Sequence, residues 1–173
     1  MKRKSVQFLL TLTLVIFSVT VAGGGNNDHP RPFKGNMSGE AVFDFSSDAC
    51  LPVTNAPWQT VSNLSGNLTH MGRSEYFSTH CSTLDGTSLV NGVATLVAAN
   101  GDEIWLTYTA ELISPLLPPP VVLVYLVENV VVGGTGRFED ASGEIASLAY
   151  VTIEAFTDPS SPLDFDFAGT IIY

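Results

Sequence analysis

Apolar and polar residues alternate along much of the chain with the two-residue period of a β-strand. The clearest case is the segment 104–112, in which successive side chains divide cleanly between two faces. One face carries Ile104, Leu106, Tyr108, Ala110 and Leu112, and the other carries Trp105, Thr107, Thr109 and Glu111. No long run after the N-terminal segment has the 3.6-residue apolar period of a helix. The pattern therefore predicts an all-β domain.

Turn residues divide this pattern into eight strands. The predicted strands are residues 35–45, 59–70, 73–82, 89–99, 104–112, 121–132, 144–156 and 163–173. The Asn100-Gly101 pair tolerates the positive φ angles of a tight hairpin, so the fourth and fifth strands are neighbours. Eight antiparallel strands in up-and-down order favour a closed β-barrel, which removes both sheet edges, over an open sandwich. Such a barrel is either filled by side chains or holds one small ligand.

The N-terminal segment has the pattern of an export signal. Lys2, Arg3 and Lys4 precede an apolar run that is shorter than the roughly 20 residues of a membrane span, and small residues follow it at Ala22. We therefore assign residues 1–22 to a signal peptide, 23–34 to a loose N-terminal arm and 35–173 to a single barrel domain. The predicted location is secreted, or periplasmic in a Gram-negative bacterium, with no membrane contact after cleavage.

Cleavage also changes the charge. The full chain has 7 Lys and Arg against 17 Asp and Glu, and cleavage leaves four basic residues, a net charge of about −13. A field of this sign repels phosphate backbones, so nucleic acid is excluded as a partner.

The two cysteines, Cys50 and Cys81, lie in an exported chain, where thiols are usually paired. The sequence therefore predicts a disulfide. A lone His80-Cys81 pair lacks a second ligand pair at zinc spacing, and no metal site is predicted.

Three short patches resemble the small secreted barrels related to allene oxide cyclase and plant dirigent proteins. These patches are residues 69–73 (THMGR), 98–102 (AANGD) and 133–143 (GGTGRFEDASG). The resemblance implies an eight-stranded antiparallel barrel, homo-oligomers, and a cavity for a small hydrophobic molecule. In the cyclase and dirigent members such cavities guide a ring closure or a radical coupling, but the family's active-site residues do not map onto this chain.

The glycine-rich segment of the third patch is interpreted as a structural turn. Gly133, Gly134 and Gly136 are not followed by the Lys-Ser or Lys-Thr of a phosphate-binding loop. We expect the Phe138 ring to enter the core and the Arg137 guanidinium to reach nearby carbonyls or an acid.

Three residues are candidates for ligand binding: Arg73, Glu75 and Tyr108. Glu75 shares a face with Phe77, Thr79 and Cys81, so an inward carboxylate at the barrel mouth is one interpretation. An exposed ion pair with Arg73 is the other. The scattered histidines support no catalytic triad, and no catalytic residue or cofactor is predicted.

Three functions fit this sequence. The first, which we favour, is a secreted barrel that binds a small hydrophobic molecule in or at the mouth of the barrel. The second is a dirigent-like or cyclase-like enzyme that works without a cofactor and needs an inward polar group. The third is an interaction module with a filled core, in which exposed aromatic residues such as Trp105 supply the contact surface.

Overall fold

The chain folds into a closed barrel of eight antiparallel strands joined in sequence order. The computed structural model describes residues 29–115, 117–154 and 159–173, so the predicted signal peptide lies outside the described residues. The strands are β1 (Arg31–Asp44), β2 (Gln59–Leu68), β3 (Gly72–Ser82), β4 (Ser88–Val97), β5 (Glu103–Leu112), β6 (Val121–Gly134), β7 (Ser142–Ile153) and β8 (Ser160–Ile172). The all-β prediction and the predicted order of eight strands are confirmed, and the barrel replaces the sandwich alternative.

The first strand begins at Arg31, within the segment that the sequence assigned to a loose arm. Residues 31–34 pair with residues 168–171 of β8, and this pairing closes the barrel. Phe33 is buried and meets the Phe167 ring edge-on at 6.5 Å. Because this segment contains prolines and charged residues, the sequence pattern did not predict a strand here. Its inward residue, Phe33, nevertheless belongs to the core.

One end of the barrel is closed by short connections. Residues 69–71, 98–102 and 135–141 join the strands there, and the chain also ends there at Tyr173. The Tyr173 ring lies 4.9 Å from the fully buried Phe138 ring and 4.4 Å from the Arg31 guanidinium. Aromatic and aliphatic side chains therefore fill this end, which we call the closed end.

The glycine-rich turn forms part of the closed end. Strand β6 continues through Gly133 and Gly134, so the sharp break falls later than predicted, at a single 3₁₀ turn from Gly136 to Phe138. Gly134 is required in the strand because the Glu103 carbonyl oxygen occupies the space of a side chain. The Arg137 Nε atom lies 3.4 Å from Asp102 Oδ2 in the β4–β5 hairpin, which ties the two connections together.

Other connections surround the opposite end, which we call the mouth. They include residues 45–58, which contain a short helix α1 (Leu51–Thr54), and residues 83–87. The predicted disulfide between Cys50 and Cys81 is present and attaches the first of these connections to β3. A cross-link over 31 residues of sequence contributes roughly 3 to 4 kcal/mol in the chain-entropy model. Among the described residues, no helix is long and apolar enough to cross a membrane.

Candidate functional site

A pocket opens into the barrel at the mouth. Its cavity volume is about 80 Å³, and the empty space amounts to about 560 Å³ when the open solvent at the mouth is included. Its lining is contributed by all eight strands: Ala41, Phe43, Thr60, Ser62, Ser78, His80, Ser82, Leu89, Tyr108, Leu123, Tyr125, Val127, Ala149, Val151, Ile153, Leu163 and Phe165. The lumen is therefore filled at the closed end and open at the mouth.

The pocket has a polar wall and an apolar wall. On the polar wall, β2 and β3 place Thr60 opposite His80 and Ser62 opposite Ser78. On the far side of the barrel, β6, β7 and β8 contribute mostly aliphatic side chains and Phe165. Among the described residues that line the pocket, none is Asp, Glu, Lys or Arg. The arrangement suits an uncharged molecule with an apolar body and a hydrogen-bonding group on one side.

His80 and Tyr108 form the central polar contact of the pocket. The His80 Nδ1 atom and the Tyr108 hydroxyl share a hydrogen bond of 2.8 Å, and their rings meet edge-on at 5.8 Å. Solvent in the pocket reaches part of the His80 ring, but desolvation by the barrel wall lowers its pKa from 6.5 to about 4. Burial raises the pKa of Tyr108 to about 12. Both groups are therefore neutral at pH 7 and act as hydrogen-bonding groups.

A second tyrosine lies behind this pair. Tyr76 is completely buried, and its ring lies 5.5 Å from the ring of Phe165, which lines the pocket. Its hydroxyl has no hydrogen-bond partner among the described residues. Burial, and then the proximity of Tyr108, raises the pKa of Tyr76 well above its usual value. An unpartnered buried hydroxyl costs free energy unless a water or a ligand satisfies it.

Asn129 extends the polar layer toward β7. Its side chain is buried, and its amide nitrogen donates to the Ile145 carbonyl at 2.9 Å and the Ser147 hydroxyl at 3.0 Å. Its carbonyl oxygen has no partner among the described residues. Because Asn129 is the cross-strand partner of Tyr108, this unused acceptor lies next to the site.

The β3–β4 connection is held at the mouth by Tyr125. The Tyr125 hydroxyl donates a 2.7 Å hydrogen bond to the Gly86 carbonyl. This bond holds Asp85 close to a tyrosine of the pocket wall. The pKa of Tyr125 is raised to about 12, first by burial and then by the charge of Asp85.

The structure separates the three residues that the sequence grouped as ligand-binding candidates. Tyr108 points inward and lines the pocket. Arg73 and Glu75 lie exposed on the outer wall, so the inward interpretation of Glu75 is wrong. The reason is the direction of β3, whose inward face carries Ser74, Tyr76 and Ser78. The buried face of β3 is its more polar face, whereas the buried face of a strand is usually the apolar one.

His80 and the hydroxyl residues around it are the part of the site that the sequence did not identify. His80 and Ser82 continue the inward alternation of the preceding β3 residues, while Cys81 on the other face bonds to Cys50. The available signal was the run of alternate hydroxyl and aromatic residues in 74–80. Among the described residues, no group of three His, Cys, Asp or Glu side chains is placed to hold a metal ion.

Comparisons with known proteins give a likeness of fold. No family model matches the chain, and no curated protein matches it. Among solved structures, the pterocarpan synthase dirigent protein GePTS1 aligns with a TM-score of 0.52 and 14% identity over 87% of this chain and 89% of that one. The pterocarpan synthase dirigent protein PsPTS1 aligns with a TM-score of 0.50 and 14% identity over 86% of this chain and 97% of that one. This chain has the eight-stranded antiparallel barrel fold of dirigent proteins.

Proposed function

We propose that this protein binds a small, largely apolar molecule in the pocket at the barrel mouth and recognises one oxygen of that molecule. The observation that supports this most directly is the hydrogen-bonded His80–Tyr108 pair inside an uncharged pocket. Such a pair offers both a donor and an acceptor, as a hydroxyl or carbonyl group of a ligand requires.

The two walls make different contributions to binding. Apolar contact on the β6–β8 side contributes about 25 cal/mol for each Å² removed from water. The polar side contributes selectivity, because a ligand that displaces water without forming hydrogen bonds leaves buried groups unsatisfied. The combination favours an aromatic or alicyclic molecule with a hydroxyl or ketone group.

We place this activity outside the cytoplasm. The Cys50–Cys81 disulfide supports that location, since structural disulfides persist in oxidising compartments. The N-terminal pattern of charge, apolar run and small residues supports it independently.

A second proposal is catalysis of a cofactor-independent cyclisation or isomerisation in the same pocket. The favouring observation is the position of the Tyr108 hydroxyl, which contacts His80 and can donate to a ligand oxygen on which charge develops. A histidine with a pKa of about 4 is a weak base at neutral pH, so the pair would act through positioning and hydrogen bonding. The fold neighbours are pterocarpan synthases by name, but their activity belongs to those proteins.

Naphthol is a suitable first probe, because it combines an apolar ring system with one hydroxyl group. We expect saturable binding by calorimetry, with amide shift changes at residues 78–82 and 106–110 in nitrogen-15 NMR spectra. Tyr108→Phe removes the hydroxyl and is expected to weaken binding about ten-fold. Tyr150→Phe is the matched control, because Tyr150 is absent from the pocket lining. Binding that is unaffected by Tyr108→Phe, or shifts confined to the outer wall, would contradict the proposal.

A further inference from the structure

The charges of the barrel are unequally distributed along its axis. The four basic residues that follow the predicted signal peptide all lie at the closed end: Arg31, Lys34, Arg73 and Arg137. The first two begin β1, Arg73 begins β3, and Arg137 lies in the turn after β6. None is in a connection at the mouth.

Carboxylates surround the mouth, and none of them forms an ion pair with a basic residue of the part of the chain that the structure describes. Five exposed acids lie at the mouth ends of strands or in the adjoining connections: Asp44, Asp48, Asp85, Glu111 and Glu154. Hydrogen bonds from Ser46 lower the pKa of Asp44, and hydrogen bonds from Thr83 and Thr87 lower the pKa of Asp85. These two carboxylates are therefore ionised throughout the neutral range.

The negative charge at the mouth acts inside the pocket as well. Asp85 precedes Gly86, whose carbonyl accepts the hydrogen bond from Tyr125 of the pocket wall. Burial, and then the charge of Asp85, raises the pKa of that phenol, so the acid at the mouth acts on a residue of the lining. An anionic group at the same place would experience the same repulsion.

The interior offers an anion no compensation. The described residues that line the pocket include no Lys or Arg, so an anion that moves inside loses hydration and gains hydrogen bonds from neutral groups but no cationic partner. An anion that remains at the mouth faces carboxylates instead. A protonated amine is attracted by the same carboxylates. Its charge can stay at the mouth while its apolar body fills the pocket.

We infer that the mouth acids select the charge of the ligand: the pocket accepts uncharged and amine-bearing molecules and rejects carboxylates and phosphates of the same shape. This inference rests on the proposed binding function and adds the substrate class. The selectivity has two components, a desolvation penalty that salt does not change and a repulsion that salt screens.

Three probes with one ring system test the inference: naphthol, naphthylmethylamine and naphthoate, titrated by calorimetry at neutral pH. We expect naphthoate to bind at least about ten-fold more weakly than naphthol at low salt. Added sodium chloride should weaken the amine, leave naphthol unchanged and partly restore naphthoate. Equal affinities of naphthoate and naphthol would overturn the inference and leave the binding function intact. Failure of all three probes to bind would overturn both.

Charge-neutralising variants locate the effect. The double substitution Asp48→Asn with Glu111→Gln removes two charges at the mouth and is expected to reduce the salt dependence of naphthoate and amine binding by about half. The control, Glu75→Gln with Asp140→Asn, removes two exposed charges from the outer wall and the closed end. This control should leave the salt dependence unchanged. An equal effect of the two double variants would assign the selectivity to net charge and overturn the role of the mouth.

Discussion

His80 and Tyr108 meet across an intervening strand, with the His80 Nδ1 atom 2.8 Å from the Tyr108 hydroxyl. The two residues belong to β3 and β5, and β4 lies between them. The contact is possible because Gly92 is the cross-strand partner of Tyr108 on β4. The Tyr108 ring occupies the space of the missing side chain, with its Cδ2 and Cε2 atoms 2.5 Å from where a Cβ would lie. Gly92 thus allows the ring to lie over β4 and reach His80.

The first prediction follows from that packing. Gly92→Ala forces the Tyr108 ring to move, because a Cβ at 2.5 Å from ring carbons cannot be accommodated in place. We expect a loss of about 1 to 3 kcal/mol in the free energy of unfolding, typical of overpacking, and about ten-fold weaker naphthol binding. Urea denaturation and calorimetric titration measure the two effects.

The neighbouring residue supplies the control for this substitution. Val93 points to the outer wall and is 49% exposed, so Val93→Ala should change the free energy of unfolding by no more than about 0.5 kcal/mol. Its naphthol affinity should equal that of the unmodified protein. A Gly92→Ala protein that binds naphthol normally would show that Tyr108 does not need its present position.

The second prediction concerns pH. The pKa of His80 is about 4 in the folded protein and 6.5 as the ordinary value, so the unfolded chain binds the additional proton first as pH falls. The stability that His80 contributes is therefore fully present above pH 6.5 and is lost as pH falls toward 4. One pKa unit corresponds to about 1.36 kcal/mol. The difference between 6.5 and about 4 therefore corresponds to a maximum loss of about 3 kcal/mol in the free energy of unfolding.

His80→Gln isolates this effect, because glutamine retains hydrogen-bonding groups and does not titrate. Urea midpoints measured from pH 7.5 down to pH 4 should fall more steeply for the unmodified protein than for the variant. His70→Gln serves as the control, since His70 is exposed at the closed end. Parallel pH profiles for the unmodified protein and His80→Gln would contradict the buried, neutral state of His80.

The fold was largely predictable from the sequence, and particular residues show why. In β5 the inward face is apolar and the outward face polar, so the direction of Tyr108 and Trp105 could be assigned from the alternation. The turn residues predicted the strand order equally well, and the two cysteines of a chain expected to be exported predicted the disulfide. The alternation in β5 follows the rule that apolar side chains face the core.

The site was less predictable because it breaks that rule. In β3 the serines and His80 face the lumen, while Phe77 is 45% exposed on the outer wall. The sequence therefore left two orientations open for Glu75 and gave His80 no binding role. In β4, an extra residue between Leu89 and Val93 adds a local shift that periodicity alone does not reveal. The same departures from an apolar interior are what give the pocket its hydrogen-bonding wall.

The third prediction compares adjacent residues of the 3₁₀ turn at the closed end. Phe138 is fully buried against Tyr173, so Phe138→Ala is expected to cost about 3 to 5 kcal/mol in the free energy of unfolding. The Arg137 side chain is 43% exposed, and its 3.4 Å contact with Asp102 is a surface ion pair. Arg137→Ala should therefore cost no more than about 1 kcal/mol. Equal losses for the two variants would show that Arg137 stabilises the turn as much as the buried ring does, which would contradict the prediction. The pocket opens at the end of the barrel opposite Phe138. Phe138→Ala protein that remains folded at low temperature should therefore still bind naphthol. Tyr108→Phe protein should bind naphthol more weakly at every temperature.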